Sequence, residues 1–223
     1  MSDFSAGIFT VNKNKEKVYP YLTKDEVFIE YNEAWVGKLS SMDMDTDYEP
    51  QTLALSKEVP LLHIINAEDH GFLMRILHEG VVKFHFETSY DIQERLFNEV
   101  AHELYGDDCW DIMLSSIGTS DDKMKRANEV TEKRFKDENI LETTIETVFA
   151  DVNKGGLKTF EIFGFDEEIM QNIKHTLTIE NYTENIPQMV YNLLDCLGLK
   201  QFSFVSHRYV SHGDDDRFTI LNS

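Results

Sequence analysis

The stretch FLMRILH-EG-VVKFHFE, residues 72–87, decides the fold class. Two apolar-rich runs flank Glu79-Gly80, and a glycine in a two-residue connection supplies the positive φ that a tight hairpin needs. In the second run Val82, Phe84 and Phe86 alternate with Lys83, His85 and Glu87. That period of two predicts an antiparallel strand with one buried face and one wet face. A two-residue register sets His85 opposite Met74 and His78 opposite Val81.

On the N-terminal side the chain continues to read as strands. Short apolar runs occupy 7–11, 27–31 and 35–39, the last two separated by Asn32-Glu33 as a turn. Residues 61–66 are largely aliphatic, with Pro60 at the entry, where a missing N–H is tolerated.

On the C-terminal side the period changes. Asp91, with Glu94 three residues later, is a capping signal. Ile92, Leu96, Val100 and Leu104 then recur every fourth residue, and Gly106 stands where a helix ends, which predicts a helix over 91–104. Further helices are predicted at 121–136, 138–150, 166–176 and 184–197, with strands returning at 202–210 and 218–221. The expected fold is therefore α+β: an antiparallel sheet with a covering helix, then a helix-rich C-terminal half ending in a strand pair. The expected organisation is a β-rich lobe at 1–115 and a helix-rich lobe at 116–223, with a single shared core as the alternative. The Ser-Ser-Ile-Gly-Thr-Ser-Asp-Asp run at 115–122 marks the boundary.

Composition limits what such a protein can engage. It carries 41 acidic against 21 basic residues, a formal net charge of -20. This surface repels phosphate backbones and anionic lipid and attracts basic proteins. Lys123, Lys125, Arg126, Lys133, Arg134 and Lys136 are interleaved with Glu129 and Glu132, so they form no clean basic stripe for nucleic acid. No run approaches 18 apolar residues, as a membrane helix requires. The two cysteines, Cys109 and Cys196, have no CxxC spacing, and the N-terminus has no basic or long apolar segment. Together these point to a reducing compartment, the cytoplasm.

Several clusters invite a chemical reading. Asp43, Asp45, Asp47 and Glu49 alternate as calcium ligands do. However, the sixth and twelfth positions of that loop hold Tyr48 and Ala54 instead of Gly and Glu, so a solvated acidic surface is expected. Glu99 and His102 have di-iron spacing but no second pair, and they sit off the apolar stripe of their helix. His63, His70, His78 and His85 lie on or beside the predicted strands, where imidazoles could act as general base or ligand. Residues 206–217 gather His207, His212, three aspartates and two arginines, read as a hairpin turn between the last strands. Glu138, Glu142 and Glu146 form a like-charge ladder at i, i+4, which is mildly unfavourable unless a basic partner meets it. Walker A, G-x-S-x-G, H-E-x-x-H and G-x-G-x-x-G motifs are all missing.

The function expected from the sequence is a non-catalytic protein-binding module, of inhibitor, immunity or adaptor type. It would engage a basic partner through Asp43, Asp45, Asp47, Glu49, Glu138, Glu142 and Glu146, with no metal and no cofactor. The rival is a metal-assisted hydrolase or transferase using strand-borne histidines with acidic residues. The charge itself is concentrated in two tracts, 39–94 and 137–184, each with 11 acidic and 3 basic residues. A binding face requires that these carboxylates gather instead of scattering.

Overall fold

The computed structural model describes residues 5–21, 27–40, 48–67, 70–109, 122–202, 205, 207, 210 and 218–221. The chain divides into two compact units: Met1–Thr88 with Phe149–Ser223, and Ser89–Val148. The boundary stretch 115–121 lies outside the described residues.

The first unit is built on an antiparallel sheet. Its strands are β1 (Ser5–Val11), β2 (Val27–Glu30), β3 (Trp35–Leu39), β4 (Leu61–Ala67), β5 (Gly71–His78), β6 (Val81–Ser89) and β7 (Thr219–Ile220), in spatial order β6-β5-β4-β1-β3-β2-β7. The hairpin forms as expected: Glu79 and Gly80 have φ of 57° and 79°, the paired positive values of a tight hairpin turn. Asn32 closes the β2–β3 turn by accepting the Ala34 and Trp35 backbone N–H groups on Oδ1. The side-chain register differs from the expected one. Val81, Val82 and Lys83 are all exposed, so alternation begins only at Phe84, and His85 faces the same side as Arg75.

The central strands are buried on both faces, so helices must cover both. One face carries Ile8, Phe28, Leu61 and Leu77 and is covered by α1 (Lys15–Val18) and α2 (Pro50–Glu58), through Val18, Leu55 and Val59. Helix α2 falls within a region expected to be mainly strand. Proline at its first turn pre-sets φ where no N–H partner is needed.

The other face is an aromatic seam. Phe84 meets Phe160 at 5.2 Å, Phe86 meets Phe149 at 5.7 Å, and Phe149 meets Tyr182 at 5.5 Å between ring centroids. Tyr182 Oη also hydrogen-bonds Thr88 Oγ1 at 2.9 Å in the buried interior. Trp35 donates from Nε1 to the Leu197 carbonyl at 2.6 Å and packs on Phe163. The seam therefore ties 149–202 to the sheet by burial of large rings, each able to remove well over 100 Å² from water.

The second unit holds α3 (Ile92–Tyr105), α4 (Asp122–Asp137) and α5 (Ile140–Val148). Asp91 caps α3 by accepting the Glu94 N–H at 2.8 Å, and Gly106 follows its end with φ 62°. The helix expected to cover the sheet thus belongs to this unit, where it packs on α4.

The rest of the first unit comprises α6 (Ala150–Asn153), α7 (Glu167–Thr176), α8 (Ile179–Glu184) and α9 (Ile186–Cys196). Asp166, Thr178 and Asn185 cap α7, α8 and α9 in turn. The chain's last strand forms, but its partner is β2. Of the expected strand at 202–210, residues 203, 204, 206, 208 and 209 lie outside the described residues; of the others, Phe202 lies in a 3-10 turn, and His207 and Val210 are helical instead of extended. Apolar content alone cannot separate these states when the run is short.

Candidate functional site

Strand register sets a row of side chains across the α2-covered sheet face. Phe28 pairs with Lys38, Lys38 with Ile8, Ile8 with His63 and His63 with Arg75. Arg75 then donates from Nε to His85 Nδ1 at 2.9 Å. Two of the four strand histidines are therefore brought together, linked by an arginine that pattern reading did not single out. His70 lies at the turn before β5 and His78 at the hairpin end of β5, both apart from this row.

Each group in the row has its protonation set by burial and by Arg75. Burial, followed by the Arg75 charge, pushes His63 down to about 4. Its Nδ1 lies 3.0 Å from the Tyr48 hydroxyl. Burial raises Tyr48 above the usual phenol value, opposed by a hydrogen bond and charge from Arg75. His85 is lowered by partial burial and by Arg75, against a weaker pull from Glu87, whose Oε2 lies 3.3 Å from His85 Nε2. An imidazole that accepts from Arg75 on Nδ1 must be neutral, which agrees with that direction. The arrangement is a desolvated tyrosine–histidine–arginine network opening at its β6 end toward Glu87.

The backbone of His85 has a separate role. Its N–H on the outer strand β6 donates to Asp151 Oδ2 of α6 at 2.8 Å. A sheet edge that offers free N–H groups is open to pairing with another chain, and the carboxylate blocks it there. Asp151→Ala is expected to lower stability by about 1–3 kcal/mol, because a half-buried donor loses its charged acceptor. Chemical denaturation of both proteins measures this, and a change below about 0.5 kcal/mol would show that water replaces the carboxylate.

Beside the row lies a cleft of about 430 Å³, counted to its open mouth, between the sheet and α2. Ile8, Phe28, Val36 and Leu61 form its floor, and Val18 and Leu55 stand opposite. Its polar lining includes Lys38, Glu49, Thr10 and Thr52. Lys38 Nζ and Glu49 Oε2 are 3.1 Å apart, the lysine side chain 17% exposed and the glutamate 64%. The cation is thus inside and the anion at the rim.

The carboxylates expected to bind a partner fare differently from one another. Asp43, Asp45 and Asp47 lie outside the described residues, as do 211–217 of the second histidine cluster. Glu49 is held by Lys38. Glu138 lies between α4 and α5 and takes both oxygens to Arg134 Nε, at 3.0 and 3.2 Å, while Arg134 also holds Glu103. The three-residue ladder is therefore reduced to Glu142 and Glu146, both exposed on α5. Glu99 and His102 are exposed on α3, as their place off the apolar stripe implied.

The unpaired surplus lies elsewhere in the first unit. Over 161–184 the chain carries six carboxylates, including Glu167 and Glu168 on α7 and Glu180 and Glu184 on α8, against Lys174 alone. None of the six is in an ion pair among the described residues. Ile179, beside Glu180, is 46% exposed. Asn181 ties this start of α8 to the end of α7 through the carbonyls of His175 and Thr176. The sequence signal was present, since 161–184 lies within the acidic tract 137–184, but helix capping and packing determine which of its residues are exposed.

Of the 28 described Asp and Glu residues, 26 are exposed and two, Glu30 and Asp151, are half-buried. Among the described residues no three His, Cys, Asp or Glu side chains converge as a metal ion would need. No helix among them is long and apolar enough to cross a membrane. No protein-family model, curated protein or solved structure matches the chain.

Proposed function

We propose that this is a protein-binding module that engages a basic partner, with the α7–α8 surface of the first unit as its principal contact. The observation that supports this is the six-carboxylate stretch 161–184, none of it in an ion pair among the described residues, with the exposed Ile179 beside Glu180. An acidic surface that includes an exposed apolar residue suits an interface in which charge speeds encounter and the apolar contact holds the complex. Glu142 and Glu146 of α5 add a smaller acidic surface on the second unit. The alternative of a metal-assisted hydrolase has less support, because the two histidines that come together do so around an arginine, which repels a cation.

The test is capture of partners at low and high salt from the organism that makes the protein, with Glu167→Lys/Glu168→Lys/Glu180→Lys alongside. The expected result is a partner with a basic face, an affinity falling at least tenfold as salt rises, and a comparable loss in the triple variant. Binding that is indifferent both to salt and to the triple substitution would sink the reading.

A further inference from the structure

We propose that Tyr48 and His63 fasten the start of α2 to the sheet as an acid-operated latch: protonation of His63 releases residues 48–53, while Leu55 and Val59 keep the end of the helix in place. The device lies apart from the acidic α7–α8 surface and does not depend on it.

The two ends of α2 are held by different forces. Its end is fixed by burial: Leu55, Ser56 and Val59 are all enclosed, and the Ser56 carbonyl accepts the Glu79 N–H of the hairpin at 2.8 Å. From Tyr48 to Ala54, by contrast, no residue is fully buried. That start is fastened by polar contacts, Tyr48 Oη with His63 Nδ1 at 3.0 Å and Glu49 Oε2 with Lys38 Nζ at 3.1 Å. The Glu49 side chain is 64% exposed, and an ion pair with such a partner contributes little. The contact with His63 is therefore the one whose loss frees the start of the helix.

The surroundings of His63 make that contact sensitive to acid. Tyr48 accepts from Arg75, so its own proton goes to Nδ1, which must be bare. Opposite His63 on the sheet stand Arg75 of β5 and Ile8 of β1. Beyond Arg75 lie His85 and Glu87 of β6, and beyond Ile8 lies Lys38 of β3. On the α2 side the groups are Tyr48 and, one residue on, Glu49. Of these only Arg75 acts on His63 through its charge, and it is a cation. A protonated His63 thus has burial and a like charge against it, with no carboxylate among the described residues to offset them. Water relieves both once Tyr48 swings away, and the part that must move is the half-buried start of α2. Glu49, Gln51 and Thr52 belong to the lining of the cleft, so their movement uncovers Ile8 and Phe28 on its floor.

The experiment follows amide hydrogen exchange of the full chain by NMR at pH 7 and pH 5, with rates corrected for the intrinsic effect of pH. The Leu53 N–H, bonded to the Glu49 carbonyl, and the Ala54 N–H report the start of α2, and the Val59 and Glu79 N–H groups report its end. The start is expected to be at least tenfold less protected than the end at pH 7, as local opening requires. It should lose about a further twentyfold by pH 5, the factor that follows when His63 titrates at 6.5 in the released state and at about 4 in the fastened one. His63→Asn, which keeps an acceptor for Tyr48, should hold the protection of the start constant between the two pH values. Tyr48→Phe should lower it severalfold at pH 7 with the end unchanged, and serves if His63→Asn folds poorly. Equal protection of start and end, no loss at pH 5, the same loss in His63→Asn, or a Tyr48→Phe start as protected as the parent's would each overturn the device.

Discussion

Phe9→Ala is expected to destabilise the protein by about 3–5 kcal/mol, the range for deleting a fully enclosed ring. Phe9 is 0% exposed at the centre of β1, paired with Gly37 on one side and Leu62 on the other. Its ring packs edge-on against Tyr31 at 5.8 Å and Phe202 at 5.2 Å. The ring also lies across two glycines. A Cβ at Gly37 would fall 2.5 Å from the Phe9 ring, and one at Gly7 would fall 2.7 Å from it. An aromatic laid over strand glycines fills the space their missing side chains leave. Alanine here therefore opens a cavity and uncovers backbone on two strands. Gly37→Ala should be costly as well, because its Cβ would also sit 2.5 Å from the Ile8 carbonyl oxygen, which is backbone and cannot turn away. The double variant should cost less than the sum of the two, since removing the ring relieves one of the two clashes. Urea unfolding of the two single variants and the double variant measures this. A Phe9→Ala loss under about 1 kcal/mol, or strict additivity, would mean that the ring does not bridge the glycines.

How much of this was legible in the sequence follows from the range of each interaction. The β5–β6 hairpin and α3 were readable because turn chemistry and capping act within a few residues: Gly80 has its positive φ, and Asp91 caps Glu94. The order of the strands was not readable. β1 lies between β4 and β3, a choice made by face-to-face burial across the whole unit. Helix α2 escaped notice because its apolar residues, Leu53 and Leu55, are two apart, which reads as strand alternation as readily as helix. At Phe202, His207 and Val210 the same ambiguity ran in the other direction. The exposed run Val81, Val82 and Lys83 shows how register can shift against a rule: two valines face water, and the core pattern starts one position later than a two-residue turn dictates.

The site was legible in part for the same reason. Composition and alternation set the histidines on or beside the strands; that Arg75 joins His63 to His85 depends on which strands are neighbours. Net charge stated that carboxylates would dominate the surface, and the burial of each residue agrees. It could not state that Glu49 would be neutralised by Lys38, a pairing between β3 and the start of α2, whereas Glu138 with Arg134 is an i, i+4 pair that spacing alone could have given. Charge totals are local sums, whereas free charge is what remains after folding has paired what it can.

The remaining large effect concerns pH and His63. Its folded-state value near 4 lies below the ordinary 6.5, so the folded protein resists protonation where the unfolded chain accepts it. Between those values the unfolded state binds more protons, and stability must rise with pH. The contribution is complete above about pH 6.5 and is lost as pH falls toward 4. A difference of this size is worth about 3 kcal/mol in total, of which about 2 kcal/mol is gone by pH 5. His85, lowered in the same direction but only half-buried, adds to the loss, and solvent screening keeps its share smaller. The structural cause is specific: a second cation on His63 would face Arg75 directly across the β4–β5 ladder, and Tyr48, which accepts from Arg75, could no longer donate to Nδ1. His63→Asn retains a polar side chain that can accept from Tyr48 and cannot be protonated in this range. Urea unfolding at steps from pH 8 to pH 4.5 should show the parent losing stability faster than His63→Asn, the two curves converging by about 2 kcal/mol between pH 7 and pH 5. Parallel curves over that interval would mean that His63 titrates normally and that the row is open to water. Convergence with an unchanged far-ultraviolet spectrum would identify this desolvated histidine as the group through which acid weakens the fold.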